Sequence, residues 1–305
     1  MTVYMRYLTN DEKQEILLKS NRFTAKQLAE QYGCSRSTIL KLWMDNNYHK
    51  PLSFKYYVNN HYFSSIDSKN KAYILGLIAS DGNIYQRNGH QGQVGLSLKN
   101  EPSETKLLHK ILNEMNSTHP IKCTMRGECS YISFTIVSQQ IFNDLSSMGI
   151  CQNKTWKMDI SNVLSYVPNE YHCDFFRGYF DGDGSIAVTD DKRPSGFGVS
   201  IACPLKTASK LINILKNIGI SALFTKDNRK YKYDFGNIVF TGYNKYLFLK
   251  YIYNTDALYL ERKRDMATKY FELIEVNATN RSENINAVNK YNEFLVNRKT
   301  MKTTK

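Results

Sequence analysis

Apolar residues along this 305-residue chain recur with two different periods. Residues 9–47 carry them at helical spacing, in three short runs. The first run, residues 9–19, opens on Thr9 as N-cap, with Asp11 and Glu12 in its first turn. Thr24 caps the second, which carries Leu28 and Ala29 and ends at Gly33. Ser35 caps the third, whose apolar stripe is Ile39, Leu40 and Trp43. The stretch after it, with His49, Pro51, Tyr56, Tyr57, Asn59 and Asn60, has no helical period and reads as a linker.

From residue 71 the pattern changes and then repeats. Residues 71–80 predict an apolar helix closing on Asp81-Gly82, and residues 175–182 another closing on Asp183-Gly184, 102 residues later. A strand begins at once in each copy, Asn83-Ile84-Tyr85 and Ser185-Ile186-Ala187. Turn-rich stretches follow, then strands alternating with period two at Val94, Leu96 and Leu98 and at Val199 and Ile201. A helix starts near Glu104 and near Lys206, each 23 residues past its aspartate. A second hairpin (121–137 and 223–241) and a further helix complete each copy. The fold class is therefore α+β, with two pseudo-symmetric αββαββα half-domains over 69–170 and 171–275. A small all-α domain (1–50) and a linker (51–68) precede them, and an Asn- and Lys-rich basic tail (276–305) follows.

Charge narrows the partner. Lys and Arg number 41 against 28 Asp and Glu, a formal net charge of +13, so a polyanion is the default partner. With 42% hydrophobic and 23% charged residues, the composition is not that of a disordered chain. No apolar run approaches the roughly 20 residues of a membrane helix, and the first residues offer no signal-peptide apolar core. The cysteines Cys34, Cys123, Cys129, Cys151, Cys173 and Cys203 never fall at C-x-x-C spacing. Neither structural zinc nor a disulfide framework is expected, and a reducing compartment fits, the cytoplasm of a bacterial or phage-infected cell.

In the N-terminal run, Ala29, Gly33 and Ile39 resemble the helix-turn-helix pattern. Ala29 lets two helices approach, Gly33 permits the tight turn and Ile39 fills the core between them. Ser35, Arg36, Ser37, Thr38 and Lys41 of the third helix then face DNA, with no acid before Asp45. A three-helix bundle that only packs or binds protein has the same pattern.

The two apolar helices break local rules in matched places. A mid-helix glycine costs about 1 kcal/mol relative to alanine, yet Gly76 and Gly178 are equivalent. Close approach of each helix to its own repeat, in parallel at a pseudo-twofold axis, offsets that cost. Asp81 and Asp183 stand at helix C-termini, where the macrodipole disfavours a carboxylate. Brought together, they also repel, which raises their pKa values or recruits cations. A divalent metal relieves both penalties and suits attack of water on a phosphodiester. The plainer alternative is that Asp-Gly merely ends each helix, with Gly82 and Gly184 in left-handed conformation.

At these residues the chain resembles the LAGLIDADG (dodecapeptide) homing endonucleases. Phe176-Arg177-Gly178-Tyr179-Phe180-Asp181-Gly182-Asp183-Gly184 is close to the motif. Ile74-Leu75-Gly76-Leu77-Ile78-Ala79-Ser80-Asp81-Gly82 departs, with Ala79 where an acid usually stands. That position caps and packs; the family's metal-binding acid matches Asp81 and Asp183. The resemblance spans roughly residues 69–275 and implies a monomer whose two sheets form a saddle over double-stranded DNA with a long, non-palindromic site. It implies Mg²⁺, with Mn²⁺ as a substitute, at Asp81, Asp183 and the adjoining Gly82 and Gly184, and cleavage of both strands leaving short 3′ overhangs. A basic residue is implied near each centre, by position Lys154 and Lys263. The hairpins offer Gln86, Arg87, Gln93, Lys99, Arg126, Lys192, Arg193, Lys226, Arg229, Lys230 and Lys232, residue types that read base edges. A solvated face is the alternative for any one of them.

Two rival functions share the fold. One is a non-catalytic DNA-binding regulator, a group that generally loses the acids and carries its helix-turn-helix at the other end. The other is an RNA maturase assisting intron splicing, against which the N-terminal domain argues. An intein is disfavoured, because no segment resembles the flanking splicing elements.

Overall fold

A computed structural model describes residues 7–20, 23, 25–48, 56–229, 234–276, 286 and 288–293. Two compact units divide the chain, residues 1–56 and 57–305. Among the described residues no helix is long and apolar enough to cross a membrane.

The first unit is three helices, α1 (Asn10–Lys19), α2 (Ala25–Gln31) and α3 (Arg36–Asp45). Thr9 closes a capping box: its hydroxyl accepts from the Glu12 N–H at 3.2 Å, and its own N–H donates to the Glu12 carboxylate at 3.0 Å. Thr24, expected to cap α2, lies outside the described residues. Gly33 turns the chain with φ +62°, and Ala29 and Ile39 are buried in a core of their own. The stripe on α3 is Ile39, Leu42 and Trp43 rather than Ile39, Leu40 and Trp43. Leu40 follows Ile39 by about 100° around the helix and faces outward, 38% exposed.

The second unit opens with residues 57–68, read above as linker. The structure corrects that reading for this part of the segment. Val58, Tyr62, Phe63 and Ile66 are buried in the main core. The Tyr57 N–H donates to Thr118 Oγ1 at 2.7 Å, the Asn59 N–H to the Met115 carbonyl at 3.0 Å, and the Ser138 hydroxyl to Asn60 Oδ1 at 2.7 Å. The segment is irregular, so it shows no period, but its aromatic residues carry enough apolar area to be drawn inside.

The first half-domain then runs α4 (Lys69–Ser80), β1 (Gly82–Tyr85), β2 (Gln93–Lys99), α5 (Pro102–Glu114), β3 (Lys122–Arg126), β4 (Cys129–Val137) and α6 (Gln139–Ser147). Two short helices, α7 (Lys154–Lys157) and α8 (Ile160–Ser165), connect it to the second. That half runs α9 (His172–Asp183), β5 (Gly184–Val188), β6 (Phe197–Pro204), α10 (Leu205–Asn217), β7 (Leu223–Lys226), β8 (Phe235–Phe240) and α11 (Tyr243–Tyr253), followed by α12 (Glu261–Val276). Each half is αββαββα, as the repeat predicts. The sheets are antiparallel in matching order, β1-β2-β4-β3 and β5-β6-β8-β7. Helices cover one face of each, where Val94, Leu96, Ile132, Phe134 and Ile136, and Val199, Ile201, Ile238 and Phe240, are buried.

The halves exchange arms. Helix α8, which follows the first half, packs on α10 of the second; α12, which follows the second, packs on α5 of the first. Ion pairs seal both: Lys210 with Asp159 at the start of α8, and on α12 Arg262 with Glu104 at 2.5 Å and Glu261 with Lys106 at 2.6 Å. Within the segment read as a basic tail, residues 288–293 are helical and Tyr291 is buried in the main core.

Candidate active site and nucleic-acid interface

Glycine sets the geometry of the centre. Helices α4 and α9 lie side by side in parallel. A Cβ built on Gly76 would meet the Phe175 carbonyl oxygen at 2.1 Å, and one on Gly178 the Tyr73 carbonyl oxygen at 1.9 Å. Those pairs are themselves 102 residues apart, so the contact obeys the repeat. Further along, a Cβ on Gly182 would lie 2.0 Å from Ser80 Oγ and 3.3 Å from Asp81 Cγ. Only glycine allows backbones this close, and the consequence is that both helices end together.

Asp81 caps α4, and Asp183 is the last residue of α9. Gly82 and Gly184 are not left-handed; neither has positive φ among the described residues. They start β1 and β5, and a side chain at either would strike the preceding helix turn, the Ile78 backbone at 2.6 Å or the Phe180 carbonyl oxygen at 2.4 Å. The helix therefore turns directly into the strand and leaves the carboxylate at the junction.

Burial pushes the Asp183 carboxyl up, the Asp81 charge pushes it further, and Lys154 and Lys263 oppose both, leaving it at about 7. Asp81 is raised too, by the protein packed around its base, with Lys263, Lys154 and Arg262 opposing. Its side chain nonetheless reaches solvent.

Both lysines expected near the centre are there, in different roles. Lys263 is 5% exposed. Its ammonium donates to the carbonyls of Phe180, Asp181 and Gly184 at 2.8, 2.7 and 2.6 Å, with that of Gly182 at 3.4 Å. It caps the orphan carbonyls at the end of α9 and opposes the helix dipole there. Burial lowers it to about 8 against the pull of Asp181. Lys154 donates to the Ser80 carbonyl at the end of α4, and burial lowers it while Asp183 and Asp81 hold it up. Half-buried, it lines a pocket with Ser80, Tyr179, Asp183 and Thr207.

Asp181, opposite Ala79 in the repeat, is a structural acid. It accepts from the Tyr73 hydroxyl at 2.8 Å, the Tyr253 hydroxyl at 2.6 Å and the Leu260 N–H at 2.7 Å. One buried carboxylate thus ties α4, α11 and the approach to α12 together, and burial raises its pKa.

Among the described residues no group of three or more His, Cys, Asp or Glu could hold a metal. Two carboxylates are present, one reaching solvent, both disfavoured as bare anions. That donor set fits a hard divalent cation that keeps most of its water. Gly184 fits less well than expected as a ligand, because its carbonyl already bonds the Lys263 ammonium.

Strand register defines the open face of each sheet. On the first, Asn83 and Tyr85 pair with Gly95 and Gln93; Gln93, Ser97 and Lys99 with Val137, Ser133 and Tyr131; and Lys122, Thr124 and Arg126 with Ser133, Tyr131 and Cys129. Period-two alternation in β1 to β4 was the signal for Asn83, Ser97, Lys122, Thr124 and Ser133, which residue-type reasoning passed over. On the second sheet the open face carries Ser185, Ala187, Gly198, Ser200, Ala202, Leu223, Thr225, Phe235, Asn237 and Val239.

The expected DNA contacts vary in freedom. Arg87 is exposed in the first loop, and Arg126 lies 5.2 Å over the Tyr131 ring. Gln86 is tied to the His90 carbonyl at 3.1 Å and Gln139 Oε1 at 2.9 Å. Lys192 is exposed, whereas Arg193, Lys226 and Arg229 pair with Asp190, Asp234 and Asp227. Lys230 and Lys232 lie outside the described residues. In the first unit Arg36, Ser37 and Lys41 are exposed and Thr38 is half-buried; the Ser35 hydroxyl caps α3 at the Thr38 N–H, 3.1 Å away.

A sequence profile of the family described as LAGLIDADG-like domain matches residues 170–253. Among solved structures, I-DmoI in complex with DNA and Ca is 16% identical with a TM-score of 0.46, covering 69% of this chain and 99% of that one. The homing endonuclease I-WcaI bound to its DNA recognition sequence is 14% identical at 0.45, covering 63% and 84%. Meganuclease I-SmaMI bound to uncleavable DNA is 13% identical at 0.43, covering 74% and 98%. No curated protein matches. By sequence the similarity to the LAGLIDADG-like domain is confined to residues 170–253, and the first half-domain repeats the fold of the second.

Proposed function

We propose that the chain is a site-specific, metal-dependent DNA endonuclease that hydrolyses one phosphodiester on each strand. One observation carries this reading: the tight pairing of α4 and α9 delivers Asp81 and Asp183 to a common point where each carboxylate is disfavoured, between two ammonium groups. Such an arrangement stabilises only when a cation joins it.

Asp81 and Asp183 are the residues that hold the metal. When bound, Mg²⁺ or Mn²⁺ supplies the positive charge that activates water and offsets charge on the phosphate. Lys154, facing the pocket beside Asp183, balances charge developing on the transferring phosphate. Lys263 has its protons committed to backbone carbonyls, so it is a positioning residue that fixes the end of α9 and hence Asp183. The open sheet faces lie on double-stranded DNA. Because the two faces differ, the site is non-palindromic and a monomer suffices. The first unit acts as a helix-turn-helix whose Arg36, Ser37 and Lys41 add affinity by tethering.

The test is incubation with candidate insertion-site DNA, with and without Mg²⁺. The expected result is metal-dependent double-strand cleavage with short 3′ overhangs, abolished by Asp183→Asn. Tight, specific binding without cleavage in Mg²⁺ or Mn²⁺ overturns the nuclease reading in favour of a DNA-binding regulator. Removing residues 1–56 is expected to weaken binding and leave the cut position unchanged.

A further inference from the structure

The two sheets repeat each other in topology but not in surface chemistry. Their registers superpose Gly82 with Gly184 and Leu96 with Ile201, which fixes the remaining equivalences. Where the first open face carries Gln93 and Lys122, the second carries Gly198 and Thr225. Both of these long hydrogen-bonding side chains have short counterparts, whereas Asn237 stands where the first sheet has Ser133. Val239 takes the place of Thr135, and Ala202 that of Ser97. Leu223 adds a 65% exposed apolar side chain at the strand edge. The longest polar side chain on the second open face, among the described residues, is that of Asn237.

Base edges in a major groove differ in donors and acceptors, and thymine adds a methyl group. Amide and cationic side chains match the former. Valine, alanine and leucine match only the methyl. The apolar positions of the second sheet, in a chain of net charge +13, are therefore complementary to thymine methyls, with only the short polar side chains of Ser200, Thr225 and Asn237 among them.

We propose that recognition is divided unequally: the first sheet reads individual bases of its half-site through Gln93 and Lys122, whereas the second packs its apolar positions on an A·T-rich half-site and discriminates weakly. The division rests on the reading of the chain as a DNA-binding endonuclease. Cations flanking the second sheet, such as Lys192, serve the phosphates there rather than the bases.

The full-length chain, in chelator so that nothing is cut, selects bound duplexes from a random pool. The expected motif is lopsided. One half specifies individual base pairs, each by about 5- to 150-fold; the other is A·T-enriched, with less than about 5-fold per pair. Lys122→Ala and Gln93→Ala relax only the specified half; unchanged melting temperatures show that these exposed-face variants fold. Two equally specified halves overturn the proposal and leave the endonuclease reading intact. So does a Lys122→Ala variant that weakens all sequences uniformly, the behaviour of a phosphate contact. A pool with no enriched duplex removes the DNA-binding reading itself, and the proposal with it.

Discussion

Asp183 carries a cost that pH exposes. In the folded chain its carboxyl titrates at about 7, against an ordinary value of 3.8, so the folded state holds the proton more tightly than the unfolded one. Stability from this group is full below the ordinary value and is lost as pH rises toward 7. In chelator, Asp183→Asn is expected to melt like the parent near pH 4 and several degrees higher at pH 8, corresponding to roughly 1 kcal/mol or more. Divalent cation should raise the parent's melting temperature at pH 8 more than at pH 5. A pH-independent difference between parent and variant would remove the electrostatic account of the centre. Lys263 tests the other side of the balance. Lys263→Met leaves the end of α9 with unsatisfied carbonyls in a buried place, which should cost about 2–4 kcal/mol in urea unfolding. Lys154→Met, with a single carbonyl partner and partial exposure, should cost about 1 kcal/mol.

At the scale of elements, the paired helices are the least tolerant part of the fold. Alanine improves helix propensity by about 1 kcal/mol, but at Gly76 or Gly178 it drives a methyl into a partner carbonyl. Each substitution is expected to destabilise by about 3 kcal/mol or more, or to prevent folding. Gly198→Ala is the control: its nearest neighbour would be 3.8 Å away, and a change within about 0.5 kcal/mol is expected. Equal effects at the three positions would refute the close-approach argument. The glycines announced themselves because each breaks helix propensity at a matched place. Their partners did not, since the Phe175 and Tyr73 carbonyls are touched only after the helices meet. The same holds for Ala79 and Asp181: the departure from symmetry is visible in the sequence, but the three donors around Asp181 come from residues 73, 253 and 260.

For the whole molecule, the exchanged arms join the half-domains. Helix α12 brings Lys263 to α9 and Arg262 to the buried Glu104 of α5. A chain ending at residue 253 lacks all of this. It is expected to lose the cooperative melting transition of residues 57–293, or to remain insoluble, as followed by circular dichroism and size-exclusion chromatography. Folding with an unchanged transition would show the arm to be dispensable. Proposed DNA binding should also fall steeply with salt, as the +13 charge requires; a flat salt dependence would argue against phosphate contact.

Lysines near the acids were implied only by the family resemblance; the sequence alone determined the repeat, its αββαββα order, and two acids at helix ends. These are local properties: periodicity, capping and breaker residues act over a few positions and survive without a partner. Which strand face stays open, why Lys263 points at backbone rather than substrate, and that Val58 to Ile66 belong to the core were decided by tertiary structure. Each depends on residues brought together from separate elements, and an irregular, aromatic segment leaves no period to read. The surplus of positive charge is likewise a property of the sequence. Its distribution, with Arg193, Lys226 and Arg229 neutralised by neighbouring aspartates and Lys122 and Arg126 standing on an open sheet, exists only in the folded chain.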